Sequence, residues 1–149
     1  MTISIQQDDF DLGFEVAVLT KNNMDIGAVV TFVGLVRDKT RGTLLSMELE
    51  HYPGMTEQAL TEIEQAATKR WSLNACRVIH RYGNLKAGEQ IMMVATAAPH
   101  RKVAFEAAEY LMDYLKTDAP FWKKEHFKDG ANWVESKAVD DIAKDRWTS

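Results

Sequence analysis

Apolar residues recur with two different periods along the chain, and the changes of period mark its elements. Val103, Ala107, Leu111 and Leu115 fall every fourth residue, with Ala104, Ala108 and Met112 beside them. That is the broad apolar stripe of a helix packed on a sheet. Pro120 disfavours helical torsions at Ala119 and cannot continue the hydrogen-bond ladder, so this helix should stop around Thr117 and the chain leave extended. Ile3 and Ile5 predict a short first strand, after which Asp8 and Asp9 offer a cap to a helix carrying Phe10, Phe14, Ala17 and Val18 and ending near Asn22. The run Ile26 to Val36 is almost wholly apolar and rich in β-branched residues, the pattern of a central strand buried on both faces.

Asp38 to Thr43 is polar and contains a glycine, which predicts a mobile loop. Leu45, Met47 and Leu49 then alternate with Ser46, Glu48 and Glu50 as a half-buried strand, stopped by Pro53 and Gly54. A second helix follows on Met55, Ala59, Ile63, Ala66 and Ala67, closing near Trp71 with Lys69 and Arg70 in its last turn. Val78 to Tyr82 and Ile91 to Ala98 predict two antiparallel strands joined by the loop Gly83 to Gly88. Beyond Pro120, Phe121 to Phe127 and Trp133 to Lys137 flank Asp129-Gly130 as a hairpin with a longer-than-minimal turn, and Asp140 to Arg146 predicts a final short helix. This order mixes helices and hairpins, so the expected class is α+β: a mixed sheet with packed helices plus a small antiparallel hairpin subdomain. With no repeat or linker composition, residues 1–149 read as a single domain.

Composition narrows the function more than the fold. A net charge of -4 opposes general nucleic-acid binding, so any cationic site must be local. No stretch has the length of a membrane span or the form of a signal peptide, which reads as cytoplasmic. The single cysteine, Cys76, excludes an internal disulfide, and the four histidines lack metal-ligand spacing, so neither a metal nor a cofactor is expected. His51-Tyr52-Pro53-Gly54-Met55 and His80-Arg81-Tyr82-Gly83 read as turns with aromatic packing.

What remains is the break at Pro120, which can set Lys116 of the last helical turn and Lys123 of the following strand over one patch. Two ammonium groups about 6 Å apart at an effective dielectric of about 20 repel by roughly 3 kcal/mol. Such a pair favours a neutral, nucleophilic amine at one position and phosphate binding when both are protonated. On spacing alone the alternative stays open that Lys116 complements the helix dipole while Lys123 and Lys124 are solvated on an edge strand. Arg37 at a strand end, and His100 and Arg101 at a helix start, are further anion-binding candidates, each equally readable as surface charge or packing.

Several stretches together carry a family resemblance: Phe32-Val33-Gly34-Leu35-Val36-Arg37, Glu48 to Met55, Val78-Ile79-His80-Arg81, His100-Arg101 and above all Met112 to Glu125. The chain resembles the large, catalytic subunit of molybdopterin synthase from about Ala28 to Trp147. The resemblance implies an alpha/beta hammerhead fold and a sulfur transferase of molybdenum cofactor biosynthesis. Such an enzyme converts cyclic pyranopterin monophosphate to molybdopterin with sulfur from the C-terminal Gly-Gly thiocarboxylate of a small ubiquitin-like subunit. It further implies a homodimer within a heterotetramer, Lys116 and Lys123 as catalytic residues, and Leu35, Val36, Arg37, His100, Arg101, Lys124 and Glu125 as substrate-binding positions. Lys124 stands where many relatives carry arginine, which would alter any bidentate anion contact there. The competing class is a non-catalytic module whose basic pocket captures a Gly-Gly tail or a phosphorylated ligand.

Overall fold

The structure is a computed structural model and describes residues 2–134 and 138–148. Its strands are β1 (Ile3–Gln6), β2 (Ala28–Leu35), β3 (Leu44–His51), β4 (Ala75–Arg81), β5 (Gly83–Leu85), β6 (Gln90–Ala98), β7 (Phe121–Phe127) and β8 (Gly130–Val134). Its helices are α1 (Leu12–Thr20), α2 (Met55–Trp71), α3 (Arg101–Thr117) and α4 (Ala138–Asp145). The first sheet runs β1-β4-β6-β2, with β1 parallel to β4 and the other pairs antiparallel. The second runs β5-β3-β7-β8 and is antiparallel throughout. This is the expected α+β class, with a mixed sheet and a separate hairpin-containing sheet.

Alternation along β6 explains the layers. Met93 and Ala95 turn with Ile79 of β4 toward α1, whereas Val94 and Ala98 turn into the larger core shared with α2 and α3. Ala104, Ala107 and Ala108 let α3 lie close to the sheet, and the buried Thr96 hydroxyl donates to the Ala104 carbonyl at 2.7 Å. Leu49 and Leu85 of the second sheet meet Leu60 of α2 and Leu111 of α3 in that same core, each nearly fully buried. Each such burial stabilises by roughly 1.5–3 kcal/mol, so the small sheet is fastened to the large one by packing.

Several expectations shift. The Ile26–Val36 segment supplies β2, but as an edge strand paired only with β6 among the described residues, with Phe32 and Leu35 exposed. Its apolar character is that of a strand with a surface still to cover rather than one enclosed on both faces. Asp11 caps α1, accepting the Phe14 N–H at 2.9 Å, because Asp9 is taken by the Phe10 amide and the Gln90 side chain. Phe10 therefore precedes the helix. A bulge between Leu44 and Ser46 breaks the alternation of β3 and leaves Leu45 exposed. The loop after β4 contains β5, which joins the second sheet, and the β7–β8 turn is the minimal two residues, since Phe127 pairs with Gly130. Positions 135–137 of the expected last strand lie outside the described residues.

Candidate functional site

The segment between α3 and β7 is fixed at every residue. The Asp118 N–H closes the helix on the Tyr114 carbonyl at 2.8 Å, and the Asp118 carboxylate accepts the Lys144 ammonium of α4 at 3.0 Å. The Pro120 carbonyl accepts the hydroxyl of fully buried Thr56 at 3.0 Å, and that hydroxyl in turn accepts the Tyr52 N–H at 2.9 Å. One side chain of α2 thus holds both the turn before its own helix and the turn that separates the two lysines. Beyond this turn strand alternation takes over: Phe121 and Lys123 face inward, and Trp122 and Lys124 outward.

Lys116 and Lys123 line one cavity of about 190 Å³. Its walls include Leu35 from β2, Met92 from β6, Met112 from α3 and Phe121 from β7, with Asp140 of α4 adding a carboxylate. Two amines over apolar walls can hold a carboxylate or phosphate group and polarise a carbonyl beside it.

His80 also lines this cavity, a place that the turn packing expected from the sequence does not give it. It ends a buried apolar stretch of β4, and its ring stacks on Phe121 with centroids 3.7 Å apart and planes 15° from parallel. Nδ1 lies 2.8 Å from the Arg81 carbonyl, which can only accept, so Nδ1 carries the proton. Burial pushes the imidazole pKa down to about 3, with Lys123 and Lys116 adding to the effect and the Arg81 bond only partly opposing it. The ring is therefore a neutral body beneath the lysines. A histidine inside an apolar interior strand needs a special environment, and that was the signal available in Val78-Ile79-His80. Asp140, at the start of a short helix, carried no comparable mark.

The other candidates spread out. Leu35 is a cavity wall, while Val36 is 2% exposed in the core and its backbone is bonded to Glu89 and Gly88. Arg37 follows on the surface. Lys124 projects from the opposite face of β7, 5.2 Å above the Trp133 ring and near the Glu48–His126 pair. Glu125 shares the inward phase of Lys123 but lies farther along the strand, opposite Met47 and Asn132, and is not among the cavity residues. His100 and Arg101 begin α3, and fifteen residues at 1.5 Å each put them about 22 Å from Lys116 along the helix. Within one chain the structure joins Lys116, Lys123 and Leu35, and leaves His100, Arg101 and Lys124 elsewhere. Cys76 is buried, and desolvation with help from Glu64 pushes its thiol up to about 12, which makes it a poor sulfur carrier.

Comparison with known proteins extends over almost the entire chain. The family model described as MoaE protein matches residues 5–118. A molybdopterin synthase catalytic subunit of Rhizobium meliloti is 52% identical over 150 residues, covering 99% of this chain and 96% of its own. The solved molybdopterin biosynthesis MoaE protein of Burkholderia ambifaria is 53% identical with a TM-score of 0.86, covering 99% of this chain and 98% of that one. Molybdopterin synthase from Staphylococcus aureus is 32% identical with a TM-score of 0.81, covering 89% and 96% of the two chains. A complex of subunits 1 and 2 of the molybdopterin-converting factor from Helicobacter pylori shares the fold at 19% identity, with a TM-score of 0.76 and 91% of each chain covered.

Proposed function

Because the chain belongs to the MoaE protein family, we propose that it is the catalytic subunit of a molybdopterin synthase, acting as one domain in the cytoplasm. Its substrate is cyclic pyranopterin monophosphate, and its sulfur donor is the C-terminal Gly-Gly thiocarboxylate of a small ubiquitin-like subunit. The observation that carries this reading is the convergence of Lys116 and Lys123 on one cavity from two sides of a locked turn. The buried, unreactive state of Cys76 also supports it, since sulfur then has to arrive on another polypeptide.

In this mechanism the thiocarboxylate sulfur first bonds to a carbon of the pterin substrate, and Lys116, beside the terminal carbonyl of the tail, polarises it as water then cleaves the acyl carbon–sulfur bond and leaves the sulfur on the substrate. Water supplies the oxygen with which the tail leaves as a carboxylate. Lys123 serves the pterin side, where the cyclic phosphate opens and a proton must be moved. Arg37, His100 and Arg101 hold the substrate phosphate, and Leu35, Val36, Lys124 and Glu125 shape the surroundings. The 22 Å or so between Arg101 and Lys116 is bridged in a homodimer, where the start of α3 from one copy serves the cavity of the other.

Purified protein, thiocarboxylated partner and the cyclic precursor test the reading, with dithiolene formation followed by mass spectrometry. Lys123→Ala and Lys116→Ala should each abolish turnover while preserving the circular dichroism of the fold, and Lys123→Arg should fail as well. Binding of the tail or precursor without turnover by the wild type would leave only a capture module.

A further inference from the structure

Lys116 and Lys123 are hydrogen-bond donors, and a lining that set only these, apolar walls and the Asp140 carboxylate around a ligand would hold an anion but offer no neutral acceptor to the group attached to it. His80 changes that. With Nδ1 committed to the Arg81 carbonyl, the lone pair of the neutral ring resides on Nε2. Among the described residues Nε2 has no hydrogen-bond partner, although His80 is buried and forms part of the cavity lining. The ring cannot swing away, because it is stacked on Phe121, which is itself backed by His51 at 6.4 Å. An unpartnered acceptor is therefore held rigidly beside two cations.

We infer that Nε2 of His80 accepts the amide N–H of a carboxyl-terminal peptide tail whose terminal carboxylate or thiocarboxylate lies between Lys116 and Lys123. The assignment rests on the proposed function, which brings such a tail into the cavity, and adds what recognises it there. In an extended tail the terminal carboxylate and the amide N–H of the same residue are separated by a single Cα. A buried site that takes the first must provide an acceptor for the second, because a desolvated N–H left without one costs about 1–3 kcal/mol. The size of the cavity agrees. About 190 Å³ is below the roughly 300–1,000 Å³ of pockets that enclose drug-sized molecules, and suits a slender chain without side chains. Asp140 is the other acceptor in the lining, but its negative charge opposes an anionic tail.

The test is a binding cycle on the full chain by titration calorimetry. The probes are a synthetic ubiquitin-like carrier ending in Gly-Gly carboxylate and a counterpart whose last amide is an ester, which deletes the N–H. The ester should bind the wild type about tenfold more weakly. In His80→Phe, which keeps the stack, and His80→Asn, which keeps the bond to Arg81, the amide and ester carriers should bind within twofold of each other. His80→Gln, whose amide oxygen reaches the Nε2 position, should regain part of the difference, and Asp140→Asn should retain all of it. An equal ester penalty in wild type and in both His80 variants, with turnover intact, would remove the role of His80 and leave the proposed function standing. Loss of the penalty in Asp140→Asn alone would assign the contact to the carboxylate instead. A wild type that neither binds the Gly-Gly carrier nor turns over would overturn both.

Discussion

Mild acid should destabilise this protein through His80. In the unfolded chain the imidazole titrates near pH 6.5. In the fold, burial together with Lys123 and Lys116 depresses its pKa to about 3. Between these values the unfolded chain binds a proton that the folded chain refuses. The stability associated with the neutral ring is therefore complete above about pH 6.5 and is lost progressively as the pH falls toward 3. Each pH unit in that window costs on the order of 1 kcal/mol, so acidification from about pH 6.5 to 4.5 should remove roughly 2–3 kcal/mol of a total of about 5–15. Asp9 and Asp38 have carboxyls held below the usual range by hydrogen bonds, so their losses fall mainly below this window. Denaturant unfolding of the wild type and His80→Phe at half-unit pH intervals measures the difference directly. The variant should show a shallower slope by about one proton. Parallel slopes from pH 6.5 to 4.5 would refute the claim that His80 is buried neutral beneath the lysines.

Thr56→Val keeps the volume of a buried side chain but strands the Tyr52 N–H and the Pro120 carbonyl; unfolding should show a loss of about 1–3 kcal/mol, and turnover should fall with it, both restored by Thr56→Ser. Gly27→Ala would drive a methyl carbon into the Pro99 carbonyl oxygen; because backbone must move to admit it, thermal melting should register a loss of roughly 1–3 kcal/mol. The Cys76 thiol, pushed up to about 12 by burial, should resist disulfide-exchange reagents until denaturant is added, and Cys76→Ser should keep full turnover.

The helix from Arg101 to Thr117 was legible because its apolar stripe and its proline stop are both local signals, and it ends where Pro120 requires. The lysine pair was legible for the same reason, being separated by a single turn. The edge position of β2 was not, because an apolar run records that both faces will be covered without recording whether the same chain covers them. The phase of Leu45 depended on a bulge that leaves no mark in composition. His80 reaches the lysines only through the pairing of β4 with β6 and the stacking of Phe121 against it, contacts between residues 41 positions apart. Local pattern therefore identified the amines but not the neutral group beneath them.

Two identical side chains sit next to each other on β7, and of the two Lys123 lines the cavity and Lys124 does not. Leu49 of β3 lies opposite Lys123 and Glu48 opposite Lys124, so the ladder between these strands decides which amine faces the cavity. A slip of one position would exchange them and leave the amino-acid content of the neighbourhood unchanged. The bulge at Leu44 and the Thr56–Pro120 bond, at the two ends of that ladder, consequently act as fiducial marks. Which lysine faces the cavity is a matter of alignment, and on the proposed function an insertion in the turn before Phe121 should be as damaging to turnover as deletion of the Lys123 amine itself.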